Sequence, residues 1–314
     1  MIMKCVVIYF SQTGNTQKVA EAVRRGVAQA AGSCDLLEIR QADPRGLCEY
    51  DLIGLGSPVM GAEPGNVSVF VNRLRLVGGK HAFTFCTHGT SAGFYYPSIY
   101  PKLKRAGLVV LGHADWYADC FLLHMPQPYP TAGHPDQRDL QEAEDYGREM
   151  TLHSMRVAAG ETSLIPPAPP EVPPGGPSDP GLAPPPVIGQ FGKLLKYDRG
   201  KCLYPRCSLC IDNCPVSGFD LSVDPPVLAK PCIACEFCAR LCPTGALDMS
   251  EWIESMIAVT SKHWNMMLES LERSEREGKF RRLLPVEELQ GTPGWTLLKE
   301  HHPQWVIGRG AQTP

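Results

Sequence analysis

KCVVIYFSQTGNT, Lys4–Thr16, is the stretch that decides the fold. Lys4–Phe10 is a β-branched and aromatic run of the kind that forms a buried strand. Ser11-Gln12-Thr13-Gly14-Asn15-Thr16 follows as a tight turn of hydroxyls, amides and one glycine. From Thr16 to Ala31 the apolar period becomes helical, with Val19, Ala20, Val23 and Val27 on one face. Strand, polar turn and helix make the first unit of a doubly wound α/β domain. The turn presents backbone N–H groups and hydroxyls at a helix N-terminus, where a phosphate can sit. A capped helix start is the plainer reading of the same residues. No GxGxxG is present, so a dinucleotide site is not indicated.

Working outward, four more strands can be placed. Asp35–Ile39 is short and suits an edge. Asp51–Gly56 (DLIGLG) ends in Ser57-Pro58-Val59-Met60-Gly61, and Lys80–Cys86 (KHAFTFC) ends in Thr87-His88-Gly89-Thr90-Ser91-Ala92-Gly93. The last spans about Leu108 to Leu123, with an interruption near Gly112–Ala114. Helical stretches lie near Gly65–Leu76 and Pro97–Ala106, and a final helix runs from Asp136, its N-cap, to about Ala159, with Gly160 as the stop. In strand order 2-1-3-4-5 the three loops rich in Ser, Thr and Gly follow neighbouring strands. They converge on one crevice beyond the strands' carboxyl ends, where such sheets bind ligands.

A second pattern lies downstream. Cys232-x2-Cys235-x2-Cys238-x3-Cys242-Pro243 resembles the bacterial ferredoxin run, whose fourth cysteine serves the neighbouring cluster. A partner run is present as Cys202-x4-Cys207-x2-Cys210-x3-Cys214-Pro215. Exchanging fourth ligands puts one [4Fe-4S] cluster on Cys202, Cys207, Cys210 and Cys242 and the other on Cys232, Cys235, Cys238 and Cys214. Between Cys202 and Cys207 stand four residues where two are usual. The loop either bulges and still delivers Cys202, or leaves that site with a labile or three-iron cluster. Zinc sites pair two CxxC knuckles instead, and a disulfide framework is out of place in a chain with no signal peptide.

Composition is consistent with this. At 314 residues the chain has room for about two domains, each with its own core. A net charge of −3 gives no reason to expect a nucleic-acid partner. The cluster run absorbs eight of thirteen cysteines; Cys5, Cys34, Cys48, Cys86 and Cys120 read as buried free thiols. MIMKCVVIYFSQTG turns polar too soon for a secretory signal, and no apolar run approaches a membrane span, so a cytoplasmic protein is expected.

Glu161–Gln190 holds eleven prolines in thirty residues and no hydrophobic period. It reads as a linker of polyproline type. After the cysteines, Ile253, Met256, Ile257, Trp264, Met267, Leu268 and Leu271 form the apolar stripe of an amphipathic helix over Glu251–Leu271. That stripe covers the cluster domain or the first domain; a homodimer through this extension is the alternative. His263, His301 and His302 read as solvated surface.

The N-terminal part resembles a flavodoxin-type domain. Ser11, Thr13, Gly14, Asn15 and Thr16 match the FMN phosphate loop of that family, and Ser57–Gly61 (Ser57, Pro58, Val59, Met60, Gly61) and Thr87–Gly93 (with His88, Gly89 and Thr90) stand in the places of its two isoalloxazine loops. Where such loops often carry a stacking aromatic, this chain has Met60 in the first and His88 in the second, with Tyr95 and Tyr96 just beyond. The whole arrangement resembles the flavodoxin–ferredoxin fusion electron-transfer proteins. The fold expected is α/β: a flavodoxin-like doubly wound five-stranded parallel sheet over 1–160, a proline-rich linker over 161–190, a small α+β two-cluster ferredoxin-like domain over 191–250 and a helical extension over 251–314. The resemblance implies FMN, two [4Fe-4S] clusters and a redox partner protein. An alternative is a reductase acting directly on a quinone, an enoate or a cofactor precursor. It needs a proton donor over the flavin, for which His88, Tyr95, Tyr96 and His124 are the candidates; a core or surface role is the plainer reading of each.

Overall fold

A parallel sheet with helices on both faces buries its strands on both sides, so its strands read as continuous apolar runs rather than alternating ones. β1 (Cys5–Tyr9) and β3 (Leu52–Pro58) have this character, and they lie at the centre of a five-stranded sheet. The computed structural model describes residues 3–171, 195–228, 232–289 and 291–301. With β2 (Asp35–Glu38), β4 (His81–His88) and β5 (Val109–Tyr117), the strand order is β2-β1-β3-β4-β5, and every pairing is parallel. This is the flavodoxin-like doubly wound order expected from the loops.

Helices α1 (Asn15–Ala31), α2 (Gly65–Asn72), α3 (Tyr95–Arg105) and α4 (Gln137–Ala158) join and cover the strands. α1 and α4 pack closely. A Cβ on Gly26 would fall 1.7 Å from the Glu144 carbonyl oxygen, so only glycine allows the approach. Arg25 Nε donates to Glu144 Oε2 (2.8 Å) at the edge of this contact. Asp136 caps α4 as expected: it accepts from the N–H groups of Arg138 and Asp139, while the Asp139 carboxylate returns a bond to the Asp136 N–H.

Two boundaries differ from the sequence reading. β5 is not interrupted near Gly112–Ala114. The surplus residue is taken up by a register shift against β4 between Ala82 and Thr84, and the strand continues to Tyr117. Residues 119–123 are not part of it. α2 stops at Asn72 rather than Leu76: the N–H groups of Arg73 and Leu74 turn to the Phe70 and Val71 carbonyls, three residues back, and Leu76 has a left-handed backbone (φ 59°) and is exposed.

The chain forms two compact units: Met1–Ala118 with His134–Pro184, and Asp119–Gly133 with Pro185–Pro314. The second unit thus takes in a fifteen-residue excursion that leaves the chain after β5. Leu123 from that excursion is buried with Ala239, Leu241, Met249, Ile253 and Leu298. Short antiparallel pairs join Lys196–Tyr197 to Leu247–Asp248, Phe219–Asp220 to Val227–Leu228, and Pro126–Gln127 to Thr292–Pro293. The helix Ser250–Arg276 keeps all seven residues of the predicted stripe buried or half-buried. Trp264 packs edge-on against the buried Tyr129 at 5.9 Å. Within the first unit, Leu164 and Ile165, at the start of the proline-rich tract, pack on the sheet core. The rest of that tract from residue 172, with His302 and Trp305, lies outside the described residues. Among the described residues no helix is long and apolar enough to cross a membrane.

Candidate cofactor sites

The first loop enters α1 through Gly14, whose φ of 90° is the left-handed turn a glycine permits. The Gly14 N–H donates to Ser11 Oγ (3.2 Å). No side chain caps α1 and its first turn carries no acidic residue. An uncapped helix N-terminus without a competing carboxylate, flanked by half-buried Ser11 and Thr13, is a chemical fit for a phosphate.

Thr16 is placed differently. It is buried, and its hydroxyl shares a 2.7 Å hydrogen bond with that of Thr87, tying the first loop to the end of β4. The other two loops are also laced together. Val59 N–H donates to Thr87 O (2.9 Å) and Phe94 N–H to Gly61 O (3.1 Å). A Cβ on Gly93 would come 2.8 Å from Gly61 O, so that contact requires glycine as well. The three loops expected to share one crevice are therefore held together by three specific bonds. Met60 is half-buried, its N–H donating to Ala62 O (2.8 Å).

The four proton-donor candidates have different fates. Tyr95 is wholly buried, with its hydroxyl at 3.2 Å from Ser57 Oγ. Tyr96 stacks on His113 with ring centroids 4.7 Å apart, and Tyr95 lies against the same imidazole at 5.6 Å. His124 belongs to the second unit, where it bonds Glu236. His88 remains at the loop. Its Nε2 donates to Asp115 Oδ1 (2.8 Å), its ring meets Tyr117 edge-on, and its buried Nδ1 has no protein partner.

Two polar residues of this region escaped the sequence reading. His113 and Asp115 alternate with Tyr117 along β5 and pair with Thr84 and His88 on β4. Their period of two along β5 is the signal in the sequence, and the glycine at 112 masks it. Burial pushes the His113 imidazole down to about 4. For Asp115 burial pushes upward, but the bond and charge from His88 outweigh it, leaving the carboxyl below its ordinary value.

In the second unit the eight cysteines of the double run separate into two groups of four. Cys202, Cys207, Cys210 and Cys242 line one cavity, whereas Cys214, Cys232, Cys235 and Cys238 line another. Each fourth cysteine crosses to the other run's group, and each is buried. Backbone N–H groups point at the sulfurs: Gly218 to Cys214 (3.1 Å), Ala246 to Cys242 (3.2 Å), Ala234 to Cys232 (3.4 Å) and Tyr204 to Cys202 (3.5 Å). Burial and neighbouring thiols raise Cys210 to about 11, burial raises Cys235 to about 12, and burial also holds Cys238 well above its ordinary value. Four crowded thiols of this kind ionise together only around a cationic centre, so the donor set fits a multi-iron group.

A third grouping, His134, Asp136 and Asp139, brings ligand atoms within 4.8 Å. The capping box and the His134–Asp139 bond explain it.

Fold and loops together define a flavodoxin-like α/β domain joined to a cysteine-rich unit. Residues 6–105 match the flavodoxin domain family. A 59-residue stretch is 38% identical to a ferredoxin of Methanothermococcus thermolithotrophicus, covering 18% of this chain and 98% of that protein. Over that stretch the chain belongs to the ferredoxin family. It is also 26% identical over 112 residues to a flavodoxin of Megasphaera elsdenii, covering 34% of this chain and 82% of that protein. Among solved structures, a flavodoxin from the domain Archaea aligns with 22% identity over 49% of this chain and 99% of its own, at a TM-score of 0.39. Flavodoxin homology supports FMN as a cofactor.

Proposed function

We propose that this chain is a flavo-iron–sulfur electron-transfer protein. FMN is held by Ser11, Thr13, Gly14 and Asn15 at its phosphate and by Ser57–Gly61 and Thr87–Gly93 at its ring. Two [4Fe-4S] clusters sit on the two cysteine groups. The observation that carries this reading is the exchange of Cys214 and Cys242 between the runs, since two adjacent cubanes need that pattern and other uses of eight thiols do not. Clusters pass single electrons and a flavin can hold one or two, so the pair links one- and two-electron partners. Low-potential electrons would go to a separate reductase in an anaerobic, cytoplasmic setting.

Direct reduction of a small molecule finds less support. The Tyr95 hydroxyl is bonded to Ser57 and His124 to Glu236, leaving His88 with its Asp115 partner and the buried Tyr96 hydroxyl, whose ring stacks on His113. Protein prepared without oxygen should contain about eight irons, about eight acid-labile sulfides and about one FMN per chain. Four irons, or zinc in their place, would sink the two-cluster reading.

A further inference from the structure

The two cysteine cavities differ in one respect that bears on their redox chemistry. Among the described residues, no charged residue lines the cavity of Cys202, Cys207, Cys210 and Cys242. One lines the other, Glu236, which directly follows Cys235. Glu236 is 2% exposed and has a left-handed backbone, φ 58°, which a residue with a side chain rarely adopts. Strain of that kind persists only where surrounding contacts enforce it.

Those contacts come from the excursion after β5. Leu123 N–H donates to Glu236 Oε2 and His124 Nδ1 donates to Oε1, each at 2.6 Å. His124 is itself buried. Four residues further along the cysteine run, Arg240 lies over the Phe121 ring at 4.7 Å and reaches its carbonyl; it lines neither cavity. Residues 121–124 therefore act as a clamp that fixes an acidic group beside one cysteine set and not the other.

We propose that Glu236, clamped by Leu123 and His124, is the residue that makes the two clusters unequal, holding the potential of the second below that of the first. This rests on the two-cluster reading. Negative charge next to a cluster opposes its reduction, and net charge and local hydrogen bonds are among the factors that set cluster potentials. An electron shared between the centres then resides mainly on the first, and the second serves as the more strongly reducing member.

The test is a redox titration of the full-length, iron-loaded chain, with each cluster followed by its electron paramagnetic resonance signal. Glu236→Gln keeps the shape but removes the charge, and should favour reduction of the second cluster at least tenfold, about 59 mV for one electron. His124→Ala removes a donor from the carboxylate and should move that potential the other way. The first cluster should stay in place in both variants. Opposite shifts are a signature that mere loosening of the loop does not produce. Shifts of one sign, equal shifts on both clusters or no shift would overturn the proposal. If Glu236→Gln fails to hold the second cluster, the sign found for His124→Ala decides alone. Iron content is measured first: four irons in the unaltered chain would overturn the two-cluster reading and this inference with it, whereas eight irons without opposed shifts overturns only the role of Glu236.

Discussion

Thr16 and Thr87 stand seventy-one residues apart in sequence, yet their hydroxyls share a buried hydrogen bond of 2.7 Å. Thr16 lies in the first turn of α1 and Thr87 one residue before the end of β4, so this bond links the loop after β1 to the loop after β4. Thr13 and Thr16 should consequently behave differently. Thr13→Ala should weaken FMN binding while leaving the melting temperature of the FMN-free protein unchanged. Thr16→Ala leaves the Thr87 hydroxyl buried without a partner and should cost about 1–3 kcal/mol of stability before any flavin is added. Thr16→Val with Thr87→Val should recover most of that loss, because both polar groups are then gone. Calorimetry of the FMN-free variants and flavin titration separate the two effects; equal stability losses for Thr13→Ala and Thr16→Ala would contradict this assignment.

His113 should impose a pH dependence on folding. Burial lowers its folded value to about 4 from an ordinary 6.5. Between those values the unfolded chain binds more protons than the folded one, so stability falls as pH drops through that window. The contribution is at most on the order of 3 kcal/mol. Asp115, held below its ordinary 3.8, acts in the same sense but only at lower pH. Urea unfolding at a series of pH values should show a reduced slope in His113→Asn between about pH 4 and 6.5. An unchanged slope would show that the imidazole titrates freely.

Leu123 should matter to the cysteine-rich unit although it lies in the stretch between β5 and α4. It is buried among Ala239, Leu241, Met249, Ile253 and Leu298. Leu123→Ala should cost about 2–5 kcal/mol and lower iron content, while FMN stays bound. Loss of flavin with normal iron would place Leu123 in the wrong unit.

The helix Ser250–Arg276 should depend on Trp264 for its seat. Its edge-on contact with Tyr129 closes the middle of the apolar stripe. Trp264→Ala should cost about 3–5 kcal/mol and speed amide exchange across Ile257–Leu271, whereas Met266→Ala on the exposed face should leave exchange unchanged. Equal protection in both variants would mean that the helix is held elsewhere.

Much of this protein was already decided by the order of its residues. The apolar runs of β1, β3 and β4 and the helical period after Asn15 lead to a doubly wound sheet, because each reports a local repeat that the backbone must obey. Asp136 as a cap, the stripe from Ile253 to Leu271 and the grouping of the cysteines follow in the same way, from spacings of a few residues. Only the tertiary structure decided which polar side chains are left to meet a ligand. Tyr95 and Tyr96 look like flavin partners until His113, on a neighbouring strand, occupies both. Nothing in the residues around Thr16 shows that its hydroxyl meets that of Thr87. His124 reads as the end of a strand, but its partner Glu236 lies 112 residues on. Pairings at such separation leave no periodic trace in the chain, since they depend on where folded elements bring side chains together rather than on any repeat along the backbone.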